Sequence, residues 1–144
     1  MVKKTPAEIR CVRAVRGATT VVYDDRALIH TAMCELLTQI LARNDIQVAD
    51  IVTAVFTATP DLRCAFPAAA ARELGWTSIP MLCAAEIDVP GALPRCLRVL
   101  LHVERSPSQS RLLPLYLREA IALKPDLSTQ PVLAQPGRIA LSSL

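Results

Sequence analysis

Residues 81–103, MLCAAEIDVPGALPRCLRVLLHV, bring together three side chains that are able to do chemistry: the thiol of Cys83, the carboxylate of Glu86 and the guanidinium of Arg98. Cys83 and Glu86 follow a short apolar run, in a loop that ends at the prolines and glycine of residues 90–94. Arg98 lies inside the next apolar, strand-like run, where a charge must be paired, solvated in a cleft or directed at a ligand. This stretch is therefore the first candidate for a functional site.

The composition limits the kinds of ligand that such a site would take. Aromatic residues make up only 3% of the chain, which disfavours nucleic-acid binding through aromatic stacking platforms. The net charge is +3, and the 16 Lys and Arg residues are scattered along the chain, so no basic stripe follows a phosphate backbone. A small acidic ligand fits this charge balance better.

Metal binding and disulfide formation are also disfavoured. The five cysteines form an odd set, without a C-x-x-C pair and without a histidine nearby. Reduced thiols in a cytoplasmic protein are the simplest interpretation. His30 and His102 are the only imidazoles, and no spacing pairs them with further ligands. Both are expected to be ordinary core or surface side chains.

The two ends of the chain differ in composition from its middle. The opening MVKKTPAEIR has two lysines but no apolar segment behind them, and no apolar run approaches the roughly 18 residues that cross a bilayer. The chain is therefore predicted to be soluble and unexported. We expect a loose leader over residues 1–11, one domain over 12–128 and a flexible tail, rich in Ser, Gln, Pro and Gly, over 129–144.

Hydrophobic periodicity and turn residues predict the elements that position the candidate site. Strands are expected at 12–22, 51–58, 76–82, 95–104 and 111–123, a long helix from Asp24 or Asp25 to about residue 43, and a short helix at 66–74. Caps are expected at Asn44 and Gly75, and a bulge or close backbone approach at Gly17. This order indicates an α/β or α+β fold with a single β-sheet and its helices on one face, and we expect the α+β class. Because the other sheet face is apolar too, an oligomer is expected to cover it.

Arginines outside this stretch differ in their expected roles. Arg16 lies beside Gly17 in the first strand and is the better candidate there for a ligand contact. Arg72 on the short helix would ordinarily be a solvated surface charge. Ordinary surface positions are also expected for Arg13, Arg43, Arg63 and Arg118.

Four motifs occur in order along the chain. They are VRGATT at 15–20, ATPDL, AFPA and ARELGW between 58 and 76, CAAEIDVPGALPRCLRV at 83–99, and YLREAIALKPDLS at 116–128. Together they resemble the monofunctional AroH-class chorismate mutases over about residues 13–128. Four agreeing motifs are far more specific than any one of them.

The resemblance implies both an architecture and a reaction. The protein would be a homotrimer in which each subunit contributes a mixed sheet to a pseudo-barrel, with three active sites at the subunit interfaces. Its reaction would be the [3,3]-sigmatropic rearrangement of chorismate to prephenate in aromatic amino acid biosynthesis, without metal or cofactor. No proton transfer or covalent catalysis is required, so the lack of an obvious nucleophile and base pair is expected.

The resemblance also implies a role for each site residue. Arg98 would stabilise the negative charge that grows on the ether oxygen of chorismate as its bond to carbon breaks. Glu86 would accept a hydrogen bond from the ring hydroxyl, with the Cys83 thiol beside it. The other substrate-binding positions are Arg16 and Tyr116 for the side-chain carboxylate, Arg72 at the rim, Phe66, Ala68, Met81, Leu82 and Leu123 in the walls, and Lys124 at the entrance.

The chain departs from the family pattern at two positions near the entrance. Ala69 stands where a lysine is common, and Lys124 stands where an arginine closes the site. Both changes weaken the positive field that attracts a dianion, so substrate capture is expected to suffer more than the chemical step. Two alternatives remain at this point: a non-catalytic trimeric protein that binds a small acid, and an imine deaminase of similar fold. Retention of Arg16, Cys83, Glu86, Arg98 and Tyr116 together argues against both.

Overall fold

The computed structural model describes residues 9–123, which form one five-stranded sheet with strand order β3-β2-β4-β1-β5. The strands are β1 (Cys11–Thr20), β2 (Ile51–Ala58), β3 (Met81–Ala85), β4 (Cys96–Arg105) and β5 (Leu115–Tyr116). β4 pairs antiparallel with β1 and β2, whereas β3 and β5 pair parallel with β2 and β1. The predicted α+β class and single mixed sheet are therefore confirmed.

Helix α1 (Arg26–Asn44) packs its apolar face on this sheet. It begins after Asp25, whose carboxylate accepts a hydrogen bond from the Leu28 N–H at 3.0 Å, as an N-cap does. The expected cap at Asn44 is wrong, because the left-handed residue after the helix is Asp45, with φ 50°. The buried Asn44 side chain instead bonds both the N–H and the carbonyl of Leu113.

β4 shows the predicted alternation of its side chains most clearly. Leu97, Val99, Leu101 and Val103 are buried beneath the helices, while Arg98 lies on the opposite face and is only partly buried. Helix α2 (Ala68–Glu73) is shorter than the expected 66–74 and lies on the same face as α1 within the main core. Gly75 follows it at φ 90°, a conformation that glycine adopts without strain.

The strand expected at 76–82 begins later, at Met81, and continues through Ala85. Trp76 is buried in the connection before it. The shift has a clear cause at Pro80, which lacks an N–H to donate into the sheet. Only its carbonyl joins the pairing, accepting the Ala54 N–H at 3.1 Å. Cys83 therefore lies within the strand and not in the loop that follows.

The strand expected at 111–123 is wrong for most of its length. Only Leu115 and Tyr116 pair with β1, and a 3-10 helix (Arg118–Leu123) follows. Arg118 has φ 51°, which ends the extended conformation. Ala120 of this helix packs on Ala18 and Cys96, and so covers part of the sheet face that α1 and α2 leave open.

The first strand spans Cys11–Thr20 and not 12–22, so the ordered sheet includes the last residue of the predicted leader. Arg10, just before it, bonds the carboxylate of Asp50 at 3.0 Å. The tail predicted at 129–144 and the entrance residue Lys124 lie outside the described residues. No helix among residues 9–123 is both long enough and apolar enough to cross a membrane.

Candidate active site

Four residues of the site are consecutive cross-strand partners on the sheet face opposite α1. Thr57 of β2 is opposite Arg98 of β4, Arg98 is opposite Ala18 of β1, and Ala18 is opposite Tyr116 of β5. Side chains in such a row project from the same sheet face. Because Ala18 ends at its β-carbon, it leaves space between the side chains of Arg98 and Tyr116.

Glu86 joins this row from the end of β3. Its N–H donates to the Ala58 carbonyl at 2.9 Å, which fixes the backbone directly after the strand. One carboxylate oxygen, Oε1, accepts a hydrogen bond from the Thr57 hydroxyl at 2.5 Å. The same oxygen lies 3.2 Å from Nε of Arg98.

The guanidinium of Arg98 is placed by this ion pair, but its Nε does not form a hydrogen bond with Glu86. Nε is buried and makes no hydrogen bond within the part of the chain that the structure describes. The side chain as a whole is 43% exposed, against 21% for Glu86. A partly exposed guanidinium, with five N–H donors in a planar fork, is suited to bind an anion or an oxygen that gains negative charge.

These residues line an open cavity of about 200 Å³. Its charged and polar lining residues are Arg16, Thr57, Glu86, Arg98 and Tyr116, and its apolar lining residues are Gly17, Ala18, Val55, Val99 and Leu100. Four of the predicted site residues, Arg16, Glu86, Arg98 and Tyr116, are thus brought together. They place two guanidinium groups, one carboxylate and one phenol around a small space.

Cys83 does not join this group within a single chain. It pairs with Phe56, packs on the helix-covered core and lines a second, larger cavity of about 740 Å³. Phe66 and Ala69 line the same cavity. Phe66 is 74% exposed, and Leu82 on the edge strand β3 is 61% exposed.

The other predicted wall and rim residues are dispersed. Ala68 is buried in the main core, Met81 is partly buried against it, and Arg72 is exposed on α2. Leu123 packs with Tyr116 on the small cluster that contains Ala18. Of these residues, only Leu123 therefore lies near the cavity that contains Arg98.

A histidine and a thiol near the larger cavity have structural partners. Nε2 of His30 contacts the Glu73 carboxylate at 2.6 Å, which links α1 to α2. Nδ1 of His30 lies 3.7 Å from Sγ of Cys34, and burial, followed by the charge of Glu73, raises the pKa of that thiol. A raised thiol pKa disfavours the nucleophilic thiolate. Within residues 9–123, His, Cys, Asp and Glu side chains form no cluster of three that would hold a metal ion.

Sequence reasoning missed Thr57, Val55 and Leu100 as cavity residues. Alternation along 51–58 indicates that Thr57 faces away from the buried Phe56, as the period of a strand requires. What the alternation does not provide is the register that sets Thr57 opposite Arg98. That register is a long-range property of the sheet.

The fold and the cavity define a small α+β protein with a ligand site made of guanidinium, carboxylate and phenol groups on one sheet face. The model of the family described as chorismate mutase type I matches residues 12–127. The chain belongs to this family and is an isomerase of aromatic amino acid biosynthesis.

Relatives and a solved structure agree with the family model. The chain is 46% identical to a chorismate mutase AroH of Thermus thermophilus over 82% of this chain and 98% of that protein. It is 41% identical to a chorismate mutase AroH of Bacillus subtilis (strain 168) over 81% of this chain and 93% of that protein. A solved chorismate mutase from Clostridium thermocellum superposes with a TM-score of 0.70 at 40% identity, covering 76% of this chain and 97% of that one.

Proposed function

We propose that this chain rearranges chorismate to prephenate in the cavity that contains Arg98. The observation that carries the proposal is the arrangement of Arg16, Glu86, Arg98 and Tyr116 around one small space, with Nε of Arg98 making no hydrogen bond among residues 9–123. Chorismate is a dicarboxylate with a ring hydroxyl and an ether oxygen. Its charges and hydroxyl match these groups in kind.

Arg98 has the central role in this proposal. As the ether bond stretches, its oxygen gains negative charge, and a fixed cation beside it stabilises the transition state more than the bound reactant. Glu86 accepts a hydrogen bond from the ring hydroxyl, while Arg16 and Tyr116 hold the side-chain carboxylate. These contacts favour the folded conformer of the substrate, which is catalysis by positioning.

A neighbouring copy of the chain completes the site in this proposal. The cavity with Arg98 is open. Leu82 is exposed on the edge strand β3, where it pairs with the cavity residue Val55, and Phe66 is exposed in the loop before α2. In a homotrimeric pseudo-barrel, these residues and Arg72 of one subunit would form the wall over the charged residues of the next. Assembly would also remove exposed apolar surface from water.

The entrance of the site differs from the family pattern in its charge. Ala69 lines the larger cavity and contributes no charge there, whereas Lys124 retains a positive charge. We expect substrate capture to depend more heavily on Arg72, since rim charges affect encounter and ground-state binding. The free state of all five cysteines supports a reducing compartment, namely the cytoplasm.

The direct test is the loss of chorismate absorbance and the appearance of prephenate after addition of purified protein. An imino acid substrate is the control, because an imine deaminase of similar fold would hydrolyse it instead. The rearrangement moves no proton, so its rate should be nearly flat across neutral pH, whereas general acid–base chemistry gives a bell-shaped profile. Consumption of the imino acid alone, or of neither substrate, would contradict the proposal.

A complementation experiment tests the shared site. Arg98→Ala removes the central charge, and Leu82→Glu places a carboxylate on the wall, where it repels a dianionic substrate. When the two inactive variants are refolded together, each mixed trimer regains one intact site, and random mixing restores about a quarter of the parental activity by this symmetry. Light scattering verifies that both variants form trimers. Activity that stays at the level of the separate variants contradicts the interfacial site.

A further inference from the structure

Thr57 lies behind the carboxylate of Glu86 and touches it more closely than any other side chain described. Its hydroxyl donates to Oε1 at 2.5 Å, on the oxygen that also faces Nε of Arg98 at 3.2 Å. Thr57 is at the same time the direct cross-strand partner of Arg98. One hydroxyl is therefore built into the sheet at the point where the two charged side chains meet.

The geometry of the ion pair suggests what this hydroxyl does. A carboxylate and an arginine at such a distance ordinarily close into a hydrogen-bonded, often bidentate pair. In this structure the Glu86–Arg98 ion pair is not hydrogen-bonded, since Nε of Arg98 makes no hydrogen bond among residues 9–123. The Thr57 hydroxyl occupies Oε1 from the sheet side, and the β-branched side chain of threonine has few rotamers through which to release it.

We propose that Thr57 is a positioning residue that keeps Glu86 from closing on Arg98. Its hydrogen bond orients the carboxylate so that one oxygen remains for the ring hydroxyl of the substrate. It also leaves the guanidinium donors of Arg98 for the ether oxygen. This inference rests on the proposed function of the site.

The first test compares Thr57→Val with Thr57→Ser. Valine removes the hydroxyl and keeps the branched shape, so Glu86 is free to turn toward Arg98. We expect kcat to fall about tenfold, the loss of one charge-assisted hydrogen bond, with KM changed less than about twofold. Serine keeps the hydroxyl and should retain kcat within about twofold of the parent. Thr57→Ala is the substitute for valine if that variant does not fold.

Thr53→Val is the matched control. Thr53 lies on the same strand and face, and its hydroxyl contacts Nδ1 of His102 at 2.9 Å, outside the cavity. Thr53→Val removes a threonine hydroxyl from the same strand and should retain the kcat of the parent. Equal losses of kcat in Thr53→Val and Thr57→Val, or losses that follow the unfolding temperature, would show a merely structural role and overturn the inference.

A double-mutant cycle tests whether Thr57 acts through Glu86. In a Glu86→Ala background the carboxylate is gone, so Thr57→Val should lower kcat by less than about twofold further. Full additivity of the two substitutions would overturn the inference. Failure of the parent protein to consume chorismate would instead overturn the proposed function, so the two failures are distinguishable.

Discussion

Glu86 and Arg98 form an ion pair that stops short of a hydrogen bond. Oε1 of Glu86 lies 3.2 Å from Nε of Arg98, and Nε has no hydrogen-bond partner among residues 9–123. The carboxylate thus fixes the guanidinium by charge, while the Arg98 side chain stays 43% exposed. A donor that is fixed before the ligand arrives costs no reorganisation when negative charge develops.

Arg98→Ala is expected to lower kcat much more than it raises KM, because the contact is stronger in the transition state than in the bound reactant. The loss of one preorganised donor costs roughly 2.7–4 kcal/mol, about a hundred- to thousandfold in kcat. Arg98→Lys should recover only part of this, since an ammonium is a single flexible point charge. Steady-state kinetics on folded trimers measures the effect.

Arg72→Ala is the comparison for this prediction. Arg72 is exposed on α2, and as a rim charge it should act mostly through KM. If Arg98→Ala kept kcat within about threefold of the parent, the transition-state role of Arg98 would be wrong.

Elements with strong local signals are predictable from the sequence. The alternation of Leu97, Val99 and Leu101 predicts that Arg98 lies on the open face of β4, and the structure confirms this. Apolar spacing and the cap at Asp25 likewise predict the long helix. These signals are local, so they do not depend on which strands pair.

The boundaries of β3 show where sequence reasoning fails. A strand that ends at residue 82 would leave Cys83 and Glu86 in one loop, side by side. The strand in fact continues to Ala85, and side chains alternate between faces along it. Cys83 therefore faces the helices, whereas Glu86 reaches the cavity on the other face.

Asp24 is expected to make the stability of the protein depend on pH through its contacts with the backbone of residues 63–64. Oδ1 of Asp24 accepts the N–H groups of Arg63 at 2.9 Å and Cys64 at 3.1 Å. The Arg63 N–H is the main cause that lowers the pKa of Asp24 below its ordinary 3.8. A lowered folded-state pKa gives a contribution that is present above the ordinary value and is lost as the pH falls through the folded-state value.

Asp24→Asn should therefore be less stable than the parent at neutral pH. The difference in unfolding free energy should shrink as the pH falls below 3.8, because the parent carboxylate then becomes protonated. Urea unfolding at a series of pH values measures the difference. Asp88→Asn, which also removes one exposed carboxylate, is the control, and a difference that does not change with pH would contradict the assignment.

Arg118 has contacts that the sequence did not indicate. Its guanidinium donates to the Thr19 hydroxyl at 3.0 Å and to Oε2 of Glu35 at 2.6 Å, which ties the segment after Tyr116 to β1 and α1. The ion pair is exposed, at 44% and 36%, so Arg118→Gln should cost less than about 1 kcal/mol of stability. Without these contacts the segment that carries Tyr116 should be held less firmly. Because Tyr116 is proposed to bind the substrate, KM should rise about two- to fivefold.

Arg13→Gln is the control for this variant, since Arg13 is an exposed arginine that bonds only the adjacent Val12 carbonyl among the described residues. Kinetics and thermal unfolding are measured on the same samples. A large loss of stability together with an unchanged KM would show that the contacts of Arg118 serve the fold and not the site.

At Gly17 the strand β1 lies close to side chains of α1. A β-carbon at this position would overlap Cδ1 of Ile40 and lie 3.2 Å from Cδ1 of Leu36, and both side chains are fully buried. Gly17→Ala should therefore destabilise the protein by about 1–3 kcal/mol through overpacking. Ile40→Val removes the overlapping atom and alone should cost about 0.5–1.5 kcal/mol.

The double variant distinguishes a clash from a general loss of strand stability. If the alanine methyl group clashes with Ile40, the Gly17→Ala, Ile40→Val double variant should lose less unfolding free energy than the sum of the two single variants. The reason is that valine makes room for the new methyl group. Urea unfolding at one fixed protein concentration measures all four proteins, since assembly makes stability concentration-dependent. Strictly additive losses would show that the overlap relaxes elsewhere. Because Gly17 lies between Arg16 and Ala18, the single variant should also raise KM, and the valine should restore it in parallel with stability.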